Sequence, residues 1–267
     1  MKIKLICSDI DGTLLNKDRE LSDKTISEIK RIAPTPFILI SSRMPQAMTH
    51  LQKELDILHL PIIAYNGGLI LYKGNIVSST EIPHESTQSI YTFCKKTSLH
   101  ISLYHHNKWY VPSMDKWAKR ESNNTKVKPL IKNVEAVLDD WLNIKKGAHK
   151  IMVMGNANEI DALVNFIEES LTDKIVAYRS KDEYLEIAHS SISKKIAITT
   201  LISKMYPQVN MYNILAFGDN FNDIDMLLSV GKGVAVANAI KEVLAVADHV
   251  TSANIMDGVA DYLEASL

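Results

Sequence analysis

Cysteine is nearly absent. The 267-residue chain has two, Cys7 and Cys94, with no metal or redox spacing between them, so thiol-based metal or redox chemistry is excluded and buried reduced thiols are expected. An excess of charge of one sign is lacking as well, since 30 Lys and Arg stand against 31 Asp and Glu. Such a balance offers no footprint to nucleic acid or to an anionic membrane, and a phosphate-bearing partner has to be met by a local site. Long hydrophobic runs are also missing. No apolar stretch approaches membrane-spanning length, and the run after Lys2 and Lys4 is broken at Asp9, too early for a signal-peptide core. A cytoplasmic protein is the expectation, and no feature of the sequence specifies an oligomeric state. What is present is 46% hydrophobic residues, enough to fill a core with room for a second module.

Four short apolar runs, Ile3 to Cys7, Phe37 to Ile40, Ile62 to Tyr65 and Ile214 to Phe217, read as parallel strands buried on both faces. Between them, residues 22–33 open with a Ser cap and carry Ile26, Ile29 and Ile32 at helical spacing, and residues 45–55 begin with a proline suited to a first helical turn. Strand and helix alternating in this way predict a right-handed α/β fold, a Rossmann-like three-layer core with a mainly parallel sheet. Its ligands sit beyond the carboxyl ends of the strands. From His84 the pattern changes to a separate α/β module, with a helix over 84–97, a hairpin across His106-Asn107-Lys108, helices over 134–144 and 159–171, and strands at 150–154, 175–178 and 184–187. The first pattern resumes at Ser193. The expected division is a core of residues 1–82 and 189–267 with residues 83–188 inserted.

The first apolar run ends in Asp9-Ile10-Asp11-Gly12-Thr13. Residues two apart on a strand point the same way, so two like charges meet at a strand end, and a divalent cation bound through oxygen is the usual remedy. Ser41-Ser42-Arg43 ends the second strand, Asn66-Gly67 the third and Gly218-Asp219-Asn220-Phe221-Asn222-Asp223 the fourth, while Lys194 opens a helix over 193–205. Singly these are bland: serines cap helices, Asn-Gly makes turns, and a lysine is most simply a solvated surface charge. Together they fall where one cleft can collect them.

In order and spacing these motifs resemble the haloacid-dehalogenase superfamily of phosphohydrolases. The inserted module, with Asn66-Gly67-Gly68, Ala237-Asn238-Ala239, Ala247-Asp248 and Asp257-Gly258-Val259, is most similar to its C2-capped, Cof-type branch. Two departures stand out: Ser41-Ser42-Arg43 replaces Thr-Gly-Arg, and Lys195 follows Lys194 where glycine is common. The resemblance implies Asp9 as the nucleophile that forms an aspartyl-phosphate, with Asp11 as general acid and base. It implies Mg²⁺ held by the Asp9 carboxylate, the Asp11 main-chain carbonyl and Asp219, with Asp223 orienting its waters or Lys194. Phosphate oxygens would be met by Lys194, the Ser41 hydroxyl, the amides of Ile10 and Ser42, and Asn222.

Substrate preference is expected to involve Arg43, Asn66, Arg179, Ser180, Tyr184 and Glu186, although Tyr184 and Glu186 also fit plain alternation on a strand. His105, His106, Trp109 and Tyr110 cluster across a hairpin and are read as surface packing, because no carboxylate or cysteine is spaced with them. The leading expectation is a Mg²⁺-dependent phosphatase of small phosphorylated metabolites, sugar phosphates above nucleotide or cofactor phosphates. A sugar phosphomutase with the same intermediate and a non-catalytic phosphometabolite-binding protein are the alternatives. Phosphate release, isomerised product, or binding without turnover separates the three.

Overall fold

The structure, a computed structural model, describes residues 2–267 apart from the side chain of Ser180. It divides into two compact units: the chain up to Ser78 together with Ser193–Leu267, and Ser79–Ile192. The junctions differ from the expected 82/83 and 188/189. Ile82 donates its amide to Ala148 O at 2.7 Å and Glu81 accepts from the Gly147 amide at 2.7 Å, which ties both residues to the inserted unit.

The first unit begins with β1 (Leu5–Ser8), α1 (Asp23–Arg31), β2 (Phe37–Ile40), α2 (Gln46–Glu54), β3 (Ile62–Ala64), β4 (Leu69–Tyr72) and β5 (Asn75–Ser79). Helix α1 starts where Ser22 Oγ accepts from the Thr25 amide, and Asp23 in its first turn and Lys30 and Arg31 in its last complement the helix dipole. The inserted unit follows with α3 (His84–Cys94), β6 (His100–His105), β7 (Lys108–Val111), α4 (Lys116–Thr125), β8 (Leu130–Ile131), α5 (Val134–Asn143), β9 (Lys150–Met154), α6 (Ala157–Ser170), β10 (Ile175–Lys181) and β11 (Tyr184–His189). The chain returns through α7 (Lys194–Met205), β12 (Ile214–Gly218), α8 (Ile224–Ser229), β13 (Lys232–Val236), α9 (Lys241–Val246), β14 (His249–Thr251) and α10 (Gly258–Ser266).

Eight strands of the first unit lie in the order β14-β13-β12-β1-β2-β3-β4-β5. From β14 to β3 all pairs are parallel, and β4 turns back antiparallel on β3. Strands β1, β2, β3 and β12 are buried at every position, as strands covered on both faces are. Because β1 pairs with β2 on one side and β12 on the other, the chain ends after Ser8, Ile40 and Gly218 become neighbours.

The inserted unit is a six-stranded sheet, order β10-β11-β9-β6-β7-β8, antiparallel except for the β7/β8 pair. Alternate residues Ile101, Leu103, Ile151, Val153, Leu185 and Ile187 join Ile90 of α3, Val137 and Trp141 of α5 and Leu163 of α6 in one apolar cluster. The residues between them, among them His100, Ser102, Lys150, Met152 and Glu186, face the other way. Helix α4, which periodicity missed, carries Trp117 edge-on to Tyr184, ring centres 5.5 Å apart. Its sequence, Lys-Trp-Ala-Lys-Arg-Glu-Ser-Asn-Asn-Thr, is too polar to announce a core helix. Cys7 and Cys94 are buried free thiols, as expected.

Candidate active site

Asp9 lies one residue beyond β1, its amide donating to Phe217 O of β12 at 3.0 Å. Asp9 is 6% exposed and its carboxylate accepts from Lys194 Nζ at 2.5 Å, and the same ammonium donates to Asp223 Oδ1 at 2.6 Å. A lysine at the first position of α7 opposes the helix dipole, worth ~0.3–1 kcal/mol against it at a surface. Here the side chain is fully buried between two carboxylates, and its neighbour Lys195 is exposed. The bland reading of Lys194 as a surface charge is thereby replaced. The turn at α7 is built for this: Ser193 Oγ caps the helix by accepting from the Ile196 amide at 3.2 Å.

Asp223 is wholly engaged. Its Oδ2 accepts from the amides of Asp219 at 3.0 Å and Asn220 at 3.1 Å, so it shapes the loop after β12 while Oδ1 holds Lys194. Asp219 accepts from Thr13 Oγ1 at 2.8 Å, a partner the sequence reading did not single out although it follows Gly12 in the same motif. Gly12 has φ 85°, and a Cβ there would fall 2.4 Å from Asp219 Oδ2, so only glycine lets the turn after Asp11 approach this carboxylate. Asn238 Nδ2 fastens that turn from the other side by donating to Gly12 O at 2.8 Å.

Asp11 is held differently from Asp9. Arg43 forks it, Nε to Oδ2 and Nη2 to Oδ1, both at 2.7 Å, and Arg19 stands 3.8 Å away. The two carboxylates of the opening pair therefore take separate cationic partners. Ser41 is buried, with its Oγ accepting from the Arg43 amide at 3.2 Å. Asn66 fixes the same turn by donating its amide to Ser41 O at 2.8 Å, and its side-chain oxygen accepts from Asn222 Nδ2 at 3.0 Å. Ile10 is fully buried and Ser42 partly exposed.

The electrostatics follow from burial. Desolvation raises the Asp9 carboxyl well above its ordinary range; Lys194 works against this, and Asp223 and Asp219 add to it. Burial likewise pushes Asp219 up to about 6, with the Thr13 hydrogen bond opposing and Asp223 adding. Desolvation would depress the Lys194 ammonium, but Asp223 and Asp9 outweigh it and hold the group charged. One ammonium thus serves more than one buried carboxylate. Carboxylate oxygens of Asp9, Asp219 and Asp223 lie within 4.8 Å of one another. An oxygen-only donor set short of positive charge fits a hard divalent cation.

The remaining sequence candidates belong to the inserted unit. Arg179 pairs with Asp161 and donates to Asp182 O at 2.7 Å; Glu186 lies 3.5 Å from Lys150; Tyr184 packs on Trp117. Ser180 falls on β10 with its side chain outside the described residues. The hairpin cluster needs correction. Trp109 is 1% exposed and stacks on Tyr104, and a carboxylate does accompany the histidines, Glu81, together with His149. Both are far from the hairpin in sequence, and only the fold brings them in.

Carboxylates and a buried lysine at the strand ends of a parallel sheet define a hydrolase equipped for anionic esters. Residues 6–263 match the haloacid dehalogenase-like hydrolases, and the chain belongs to that family as a phosphatase of Cof type. A Haemophilus influenzae protein, named only as a candidate phosphatase, is 32% identical over 269 residues, covering 99% of this chain and 98% of its own. The 5-amino-6-(5-phospho-D-ribitylamino)uracil phosphatase YwtE of Bacillus subtilis is 28% identical over 288 residues, covering 98% and 97%. Among solved structures, a haloacid dehalogenase-like hydrolase from Bacteroides thetaiotaomicron superposes with a TM-score of 0.91 at 27% identity, covering 100% of both chains. No helix among the described residues is long and apolar enough to cross a membrane.

Proposed function

We propose that the protein hydrolyses small phosphorylated metabolites, sugar phosphates foremost, in a Mg²⁺-dependent reaction through an aspartyl-phosphate on Asp9. The observation that carries this is the Asp9 carboxylate buried against Lys194 with Asp219 close by. The likeness to a phosphatase of a phosphoribitylamino compound supports a polyol or sugar phosphate.

A carboxylate at ~4 Å from a phosphate dianion meets about 8 kcal/mol of repulsion at an effective dielectric of ~20, so Asp9 cannot attack unaided. Asp9, Asp219 and the Asp11 main-chain carbonyl would hold Mg²⁺, which when bound offsets that repulsion. Lys194 supplies a fixed positive charge beside Asp9. Ser41, whose oxygen accepts from the Arg43 amide, keeps its hydroxyl proton for a phosphate oxygen, and the amides of Ile10 and Ser42 with the Asn222 side chain complete the cradle.

Asp9 forms a bond to phosphorus as the ester oxygen leaves, and Asp11 gives that oxygen a proton. Asp11 then takes a proton from water, which attacks phosphorus and frees Asp9 and inorganic phosphate. Both Asp11 oxygens are engaged by Arg43 in the structure, so proton delivery requires the fork to open. Leaving-group preference is assigned to the inserted unit, with Arg179, Ser180, Tyr184 and Glu186 as candidates.

The test is a panel of phosphate esters with Mg²⁺, followed by acid quench and mapping of phosphate on the protein. Phosphate release from sugar phosphates and label on Asp9, lost in Asp9→Asn, is the expected result. Label on another residue, isomerised product without release, or ligand binding without turnover would each overturn the reading.

A further inference from the structure

Away from the phosphate site, the inserted unit gathers a second group of metal-ligating side chains. Glu81 precedes α3, His105 ends β6 and His149 precedes β9, and one ligand atom of each lies within 4.8 Å of the others. The His105 and His149 ring centres are 4.9 Å apart, and the His106 ring stands 5.8 and 6.0 Å from them. Two imidazoles and one carboxylate on three separate segments form a donor set chosen by zinc and its neighbours and ill suited to magnesium or calcium.

One backbone position fixes where two of the three ligands sit. Gly147 accepts from His105 Nδ1 at 2.8 Å and donates its amide to Glu81 Oε2 at 2.7 Å. The same Nδ1 stands 4.0 Å from Glu81 Oε1 and is the ring nitrogen on the carboxylate side, so on taking an ion it gives up the Gly147 carbonyl and the ring proton moves to Nε2. No other residue fits at 147, because a Cβ would fall 2.1 Å from Ile82 O. Ser79 Oγ lies 3.0 Å from His149 Nε2 and 3.3 Å from Glu81 Oε1, bridging the third ligand to the carboxylate.

We propose that Glu81, His105 and His149 form a binding site for a divalent transition-metal ion of the zinc class, clasping the segment 79–82 to β6 and β9. Tetrahedral zinc with bonds of about 2.0–2.1 Å sets its ligand atoms about 3.4 Å apart, so the ion draws these side chains together by roughly 1 Å. Lys146 Nζ, 3.5 Å from Glu81 Oε1 on a half-exposed side chain, yields its place. His149 exchanges Ser79 for the ion through Nε2, its ring proton moves to Nδ1, and the long 3.3 Å contact from the His106 amide is given up. His105 and His106 also line a surface cavity of about 450 Å³ with Tyr110, Asp140 and Trp141, which opens the cluster to solvent on that side.

The experiment titrates zinc into the full-length protein with excess Mg²⁺ present, so that the oxygen-only site competes poorly. One zinc per chain is expected, tighter than 10 μM, weakened at least tenfold in His105→Ala and in Glu81→Gln and unchanged in Asp219→Asn. Circular dichroism checks that all three variants fold, and phosphatase activity checks His105→Ala and Glu81→Gln as well. Cobalt with the unaltered protein provides a reading that needs no variant: the intense visible bands of a tetrahedral site are expected, not the weak ones of an octahedral oxygen site. Absence of tight zinc binding, binding that survives both substitutions, binding abolished by Asp219→Asn, or octahedral cobalt spectra would overturn the proposal and leave the cluster a hydrogen-bonded seam.

Discussion

Asp9 and Asp11 are two residues apart yet meet different cations, Lys194 and Arg43, and this separation would let two like carboxylates take the different roles proposed for them. If Lys194 meets the phosphate as proposed, Lys194→Ala removes a charge-assisted contact common to every phosphate ester, so kcat/KM should fall for all substrates alike by about 1.5–3 kcal/mol, roughly ten- to a hundredfold. A panel in which some esters were spared would contradict that role. Arg43 acts through Asp11. Arg43→Lys replaces a two-point fork by a point charge, and because Asp11 is 41% exposed, screening limits the effect to about 1 kcal/mol, several-fold in kcat. Because proton delivery requires the fork to open, kcat should rise, more for alkyl than for aryl phosphates, whose leaving groups need less protonation, and the change should vanish in the Asp11→Asn background.

At the scale of elements, one side chain caps helix α4 and ties its start to the sheet. Asp115 Oδ1 accepts from the Trp117 and Ala118 amides, both at 2.9 Å, while Oδ2 meets His100 Nδ1 at 2.7 Å. Asp115→Ala should lower the opening free energy of α4 by about 1 kcal/mol or more, read as lost amide protection in hydrogen exchange, and Asp115→Asn should retain most of it. His100 gives the pH dependence. Burial depresses its imidazole below the ordinary 6.5, and Asp115 opposes without reversing this. A depressed histidine means the unfolded chain takes the proton first, so stability is full above about pH 6.5 and declines as pH falls below it. Proton NMR of the folded protein should show His100 titrating below 6.5, and His100→Asn should flatten the acid-side loss. A His100 titrating above 6.5 would reverse the sign.

For the molecule as a whole, the two units invite opposite responses to metals. Chelation should abolish turnover, and Mg²⁺ should restore it, because Asp9, Asp219 and the Asp11 carbonyl are hard oxygen donors. Calcium, with larger and looser coordination, should substitute poorly. Full turnover after exhaustive chelation would remove the metal from the reaction. Zinc, if taken by the histidine cluster of the inserted unit, should leave Mg²⁺ activation in place, so the two ions can be assayed side by side.

Local pattern determined much of this protein. Apolar runs of four or five residues specified β1, β2, β3 and β12, Ser22 and Ser193 marked helix starts, and the strand-end motifs carried the family resemblance, because period and capping are short-range properties. Other features were decided only by tertiary structure. Lys194 looks like a surface charge until sheet order brings the start of α7 to Asp9, 185 positions away. The Arg43 fork on Asp11 depends on β1 and β2 being neighbours, and helix α4 is held to the sheet by Asp115 and His100, with no apolar period of its own to announce it. His105 and His106 read as packing until the fold adds Glu81 and His149. The physical reason is the same each time: a side chain's charge partner and burial are set by which strands pair, and strand pairing is not written in any one segment.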